Sequence, residues 1–456
     1  MKRFLKFASY AVMMAFFTVA LSGCTKKTST TDARATKVIV WSFEDPDVWK
    51  PIVKDFESTN KGYTMEYVQQ TLDAAYENKV LNSQLSGTGP DVWSMPNDWV
   101  YRHKDKLVPA PTAITSKVNM DEGYVQSIKQ SVQIDNNIYA LSASAEPMIV
   151  YYNPSLIRQA LSDLEKSTVS GVTYERISKM FDPVPNTWTN FAEAMPYLTK
   201  RDGDNISIAG AAIGSDNVSY PQDILYLLML QNETKILSDD LKLAMFSLPS
   251  STPVGTEEVP GKRALEFYTS FANPKGANYT WNESMGNDVE AFVNGKVAIL
   301  FGYDRLLNVF AQKYPTFKDY ATTYVPQVNT EPDKIIDYAR FNAFGVSAIT
   351  PNSAIAWNVV HGLATTYSSN ITSASRLYGS YKYDSYEIGI ENRTGNNPEK
   401  LELATAKAFQ KGRYPGDFDA NMRNAIRAVN KGTLTAQAAL NQAADNITVL
   451  LRKETW

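Results

Sequence analysis

Lys37 to Ser42 (KVIVWS) is an unbroken apolar run rich in β-branched residues, the pattern of a parallel strand covered on both faces. After it, Trp49, Ile52, Val53 and Phe56 recur at helical spacing, with Pro51 tolerable only near the first turn. Thr64–Val68 reads as a second strand, and Leu72, Tyr76 and Val80 mark a second helix. Gly87 and Gly89 then allow a tight turn, and Pro90 punctuates the entry to a third strand through Val92–Met95. This strand–helix rhythm predicts a doubly wound α/β lobe.

The pattern continues with two more strands, Asn137–Leu141 and Met148–Tyr152, flanking the small-residue stretch Ser142–Pro147. That stretch, carrying the lone acid Glu146, reads as a connection between lobes. Asn153-Pro154 opens a helix, and Thr187 has an N-capping look before Phe191, Met195 and Leu198. An apolar helix covers Ile224–Leu230, a Pro/Gly/Ser/Thr loop covers Ser247–Gly261, and Ala264–Phe271 is helical in pattern. Val289–Arg305 predicts a helix, a turn at Gly295 and a buried strand. Tyr324–Pro326 and Ile336–Ile349 are strand-like, and Ala436, Leu440, Ala443, Ile447 and Leu450 step as an amphipathic helix. A chain of 456 residues exceeds one core and implies two lobes.

The first residues stand outside the fold. Lys2, Arg3 and Lys6 precede an apolar run, Ala11–Leu21, too short to span a bilayer comfortably. The run ends in Leu21-Ser22-Gly23-Cys24, which looks like a bacterial lipobox. Residues 1–23 are read as a lipoprotein signal peptide, Cys24 as the lipid-attachment site and 24–36 as a polar tether. The expected place is therefore outside the cytoplasm, anchored by lipid on the outer face of the cell membrane. Without the signal peptide the formal charge of −3 becomes −6, and no basic patch recommends a nucleic-acid partner. One cysteine and two distant histidines, His103 and His361, offer no metal cluster and no nucleophile–base pair, and no cofactor is expected.

Candidate chemistry gathers where strands end. Ligands of open α/β sheets sit beyond the carboxyl ends of strands. Glu44 and Asp45 follow the first strand; Asn97, Asp98 and Trp99 follow the third; Tyr303, Asp304 and Arg305 follow Val297–Phe301. A carboxylate beside an indole suits a sugar, whose hydroxyls donate to the acid while its C–H face packs on the ring. Trp93 is read as core, and Trp281 as equally suited to stacking or packing.

Several motifs, in order, resemble those of the extracellular solute-binding proteins of carbohydrate ABC importers, the maltose/multiple-sugar type. They are V-x-V-W-S at Val38–Ser42, the F-E-x-T/N-x-G pattern at Phe56–Gly62, G-x-G-P-D-V at Gly87–Val92 and I-Y-A-L at Ile138–Leu141. Tyr151–Asn153, P-x-T-W at Pro185–Trp188, A-F-x-x-G-K-x-A at Ala291–Ala298 and the terminal Val429–Leu440 segment follow. The resemblance implies two α/β lobes (residues 37–143 with 344–393, and 147–340 with 398–456) around a ligand cleft, as in periplasmic binding proteins. Three hinge crossings would fall near Ser142–Glu146, Tyr338–Phe344 and Asn392–Pro398. It places ligand contacts on Glu44, Asp45, Asn97, Asp98, Trp99, Glu146, Asp216, Asn217 and Tyr220. A carbohydrate ligand, the transmembrane subunits of an ABC permease, the membrane and a monomeric state follow from the same resemblance.

Three departures bear on the ligand. Tyr303-Asp304-Arg305 stands where the family usually has a tryptophan, and Phe341-Asn342 replaces a glycine pair; Phe418-Asp419 stands where many relatives carry an aromatic platform. Because arginine pairs bidentately with carboxylates, Arg305 opens the cleft to an acidic or otherwise charged sugar. Three alternatives stay open: an exported glycan-active enzyme using a pair among Glu44, Asp98 and Glu146, a binding protein for a non-sugar solute, and an adhesive lipoprotein.

Overall fold

The structure, a computed structural model, describes residues 35–118, 120–167, 171–250, 258–375, 378–379 and 398–453. The signal peptide, Cys24, nearly all of the tether, and residues 392–397 of the third expected crossing lie outside the described residues.

The first lobe is built on the five-stranded sheet Tyr63–Gln69, Thr36–Ser42, Val92–Pro96, Asn342–Val346 and Ala140–Leu141, in that spatial order. The first three strands are parallel, as the βαβ rhythm requires, and Asn342–Val346 returns antiparallel to Val92–Pro96. Helix Pro46–Thr59 lays Trp49, Ile52 and Phe56 on the lobe's core, and continues through Pro51 rather than stopping there. Gly87 has φ +70°, the left-handed turn its position calls for. The Leu72 reading is corrected: the second helix is Tyr76–Leu85, and Leu72 lies exposed before it. Asn137–Leu141 also divides, Asn137–Ile138 pairing with Gln133–Ile134 while Ala140–Leu141 joins the main sheet.

The second lobe carries the sheet Ala321–Thr323, Ile149–Tyr152, Val297–Gly302, Asn205–Ala212 and Lys200–Asp202. All six residues of Val297–Gly302 are buried, as an apolar run at the sheet's centre must be. The strand expected at Tyr324–Pro326 lies earlier, at Ala321–Thr323; beyond it the Val325 amide donates to the Glu402 carboxylate at 2.7 Å instead of to a neighbouring strand. Trp281 is fully buried and donates its indole N–H to Asn217 Oδ1 at 2.8 Å, so it packs.

The lobes meet at a small sheet in which Asp337–Arg340 sits between Ser144–Pro147 (antiparallel) and Ala406–Lys407 (parallel). Each strand passes from one core to the other. Ala145 packs in the first lobe and Met148 in the second; Tyr338 packs in the second and Ala339 in the first; Ala406 packs in the first and Phe409 against the second. The third crossing thus lies at Ala406–Phe409, beyond the expected Asn392–Pro398, because Leu403 and Ala406 still pack in the first core; joined by ladder hydrogen bonds, the three make one hinge.

Candidate functional site

The residues around this hinge form a continuous chain of contacts between the lobes. In the first lobe, Trp99 stacks on Tyr76 (ring centroids 6.3 Å, 15°), and the Tyr76 ring meets Phe43 edge-on at 5.1 Å. Tyr76 is held by its hydroxyl, which donates to the Ser94 carbonyl at 2.8 Å. Glu44 accepts the Trp49 indole N–H at 3.3 Å and lies near enough to Tyr76 to help burial push that phenol upward. The half-buried side chains of Glu44, Asp98 and Trp99 share the carboxyl ends of neighbouring parallel strands.

Asp98 then leads to the hinge. Its carboxylate is 3.7 Å from Lys411 Nζ, and the same ammonium lies 2.8 Å from Asp419. Asp419 accepts a 2.8 Å hydrogen bond from the Tyr226 hydroxyl and is 4.0 Å from Arg340. Arg340 grips the fully buried Asp223 by two nitrogens, each at 2.6 Å, and Asp223 also accepts the Tyr303 hydroxyl at 2.7 Å. The half-buried Tyr220 ring meets Tyr303 edge-on at 4.9 Å. Arg305 closes the chain, gripping Glu146 through Nε (3.0 Å) and Nη2 (3.1 Å).

Burial pushes the Asp98 carboxyl up, against the pull of Lys411. Burial is the largest influence on the Lys411 ammonium and works against it, but Asp419, Tyr338 and Asp98 together outweigh it and hold Lys411 above the ordinary lysine range. Burial likewise opposes the Arg340 charge most strongly, and Asp223 with Tyr303, Tyr338 and Asp419 together hold it well above its ordinary value. The Tyr303 phenol is raised by burial and then by Asp223, so it stays a hydrogen-bond donor. The three cations of the site are thus each committed to a carboxylate.

The structure brings together Glu44, Asp98, Trp99, Glu146, Tyr220, Tyr303 and Arg305 from the sequence expectations. Asp45 is instead the exposed N-cap of helix Pro46–Thr59, accepting from the Asp47 amide at 2.8 Å. Asn97 is buried and exchanges backbone and side-chain hydrogen bonds with Phe341, whose side chain is itself buried; Asn97 Nδ2 reaches Ser131. Asn342 pairs with Pro96 in the first-lobe sheet, and its carbonyl accepts from Ser142. These three stitch the crossing strands to the first lobe. Asp304 is buried at the start of helix Arg305–Lys313. Asn217 holds Trp281 and reaches the Gly286 carbonyl, and Asp216 binds Arg427, both within the second lobe.

Four members were missed as site residues: Asp223, Arg340, Lys411 and Asp419. Asp223 carried a signal, being the lone acid in the otherwise apolar helix Pro221–Gln231. A charge in an apolar segment needs a partner.

Comparison with known proteins agrees with this architecture. The profile of the family described as bacterial extracellular solute-binding protein matches residues 41–365. No curated protein matches the sequence. Among solved structures, the sugar-binding protein MalE of the phytopathogen Xanthomonas citri is similar with a TM-score of 0.69 and 16% identity, over 91% of this chain and 97% of that one. The cyclic alpha-maltosyl-1,6-maltose binding protein of Arthrobacter globiformis gives 0.68 and 16%, over 91% and 99%. The GacH receptor of Streptomyces glaucescens, solved unliganded and with acarbose, gives 0.64 and 15%, over 92% and 100%.

Proposed function

Since the chain belongs to the bacterial extracellular solute-binding proteins, we propose that it captures a sugar or oligosaccharide at the hinge and delivers it to the membrane subunits of an ABC importer. The observation that carries this reading is the run of aromatic rings and charged groups from Trp99 to Tyr220, shared by both lobes and the strands joining them. Rings supply faces for sugar C–H groups, and fixed polar groups orient hydroxyls. Because the strands of one small sheet carry all three core changes, rotation there moves the lobes as bodies and closes the site on its ligand. That proteins of similar structure bind sugars supports the same ligand class.

Capture without chemistry also fits the carboxylates. Glu146, Asp223 and Asp419 each hold a cation, which suits a scaffold better than a proton-transfer pair. The test is thermal unfolding of the mature chain, without its lipid, against neutral mono-, di- and oligosaccharides. A ligand of the folded state at about 100 times its Kd adds about 2.7 kcal/mol of stability. A clear rise in Tm, with the sugar recovered intact, is the expected outcome; no rise with any sugar would overturn the reading, as would recovery of a cleaved product.

We further propose that lipid on Cys24 anchors the domain to the outer face of the membrane, with residues 25–36 as spacer. In a bacterial host fed labelled palmitate, the native chain should carry label in the membrane fraction. Cys24→Ala should abolish the label and release the protein from that fraction. Equal labelling of both forms would contradict the anchor.

A further inference from the structure

Arg305 invites an acidic ligand on sequence grounds, but its guanidinium is already gripped through two nitrogens by Glu146. The other two cations are similarly engaged, Arg340 by Asp223 and Lys411 by Asp419. Two carboxylates of the chain remain without a full ionic partner. Asp98 stands 3.7 Å from an ammonium that sits closer to Asp419, and Glu44 accepts only a neutral indole N–H among the described residues. Both are half-buried, on the first-lobe side, beside the stacked Tyr76 and Trp99 rings.

An anionic sugar entering here would meet, among the described residues, only cations whose charge a carboxylate already balances, and would face two surplus negative charges across a partly dry space. Protonating Asp98 would remove one of these two charges but leave Glu44 charged and every cation paired. Neutral hydroxyls meet no such obstacle: they donate to Asp98 and Glu44, and among the described residues no partner occupies Nη1 of Arg305 or Arg340, leaving it to donate to a sugar oxygen. A basic amine would gain a charge-assisted hydrogen bond at the surplus acids.

We infer that the site accepts sugars that are neutral or bear a basic amine and refuses sugar acids and sugar phosphates, with Asp98 and Glu44 as the residues that set this selectivity. The inference rests on the sugar-binding reading above. Like charges held a few residues' width apart in a partly desolvated space repel, so discrimination of about tenfold or more is expected.

The experiment is titration calorimetry of the mature chain with matched probes: glucose, glucosamine, glucuronate and glucose 6-phosphate, and maltose beside maltobionate. The expected result is that, in any neutral member that binds, the acid or phosphate counterpart is weaker by about tenfold or more, and the amine is equal or tighter. Asp98→Asn and Glu44→Gln, each measured alone after its Tm confirms a folded chain, should each narrow the gap between neutral and anionic members. An anionic probe that binds as well as its neutral counterpart overturns the selectivity while leaving sugar binding intact. Failure of every neutral and amino probe, with longer oligosaccharides included, overturns the sugar reading itself and this inference with it.

Discussion

Replacing Asp223 by Ala is expected to lower the unfolding free energy by about 3 kcal/mol, seen as an earlier urea midpoint with an unchanged m-value. Asp223 has no solvent exposure and receives both the Arg340 guanidinium and the Tyr303 hydroxyl. Removing it leaves a cation and a phenol at the lobe junction without their acceptor. The loss is placed at the lower end of the range for broken buried pairs because Arg340 retains 27% exposure and can recover some hydration. Asp223→Asn keeps an acceptor for Tyr303 and should cost less. The double variant Asp223→Ala with Arg340→Met removes both charges and should recover part of the loss. A double variant as unstable as the sum of its singles would show that the pair is not the source of the effect.

The second large effect is on affinity. Trp99→Ala should weaken sugar binding by about 10- to 100-fold, the range for removing a central aromatic anchor, read by titration calorimetry. Trp99 is half-buried, and its ring lies 6.3 Å from that of Tyr76, which in turn is fixed by Ser94. That support makes the indole a rigid platform rather than a loose cover. Trp99→Phe keeps a face and should lose less; loss of affinity by Phe equal to that by Ala would argue against stacking.

The same residues show what sequence reading reaches and where it stops. Val38–Ser42, Val92–Met95 and Val297–Phe301 are legible because strands covered by helices are largely apolar; Val297–Phe301 is buried at every position, and Val38–Ser42 at alternate ones. The strand ends then direct attention to Glu44, Asp98, Trp99, Tyr303 and Arg305. The hinge at Ser142–Pro147 is legible from its small residues and single acid. Leu72 and Tyr324–Pro326 misled because a few apolar positions fit two registers, and only packing chooses between them. Asn97, Phe341 and Asn342 stand where strands end, but their hydrogen bonds join elements separated by about 200 positions or more, which local pattern does not carry. Arg305 raised the expectation of an acidic ligand because its partner, Glu146, lies 159 positions earlier. Asp223 is similarly 80 positions from Tyr303 and 117 from Arg340, so its lone charge in an apolar helix announces a partner without naming it.

Capture of sugar between the two lobes is tested most directly by hydrogen–deuterium exchange of the mature chain with and without the sugar that raises its Tm. Slower exchange is expected together in the peptides covering 96–103, 216–224 and 302–310, with the hinge strands Ser144–Pro147 and Asp337–Arg340. Protection confined to one lobe would contradict capture at the hinge. So would protection centred on the groove of about 760 Å³ beside Gln231, Val328 and Lys407.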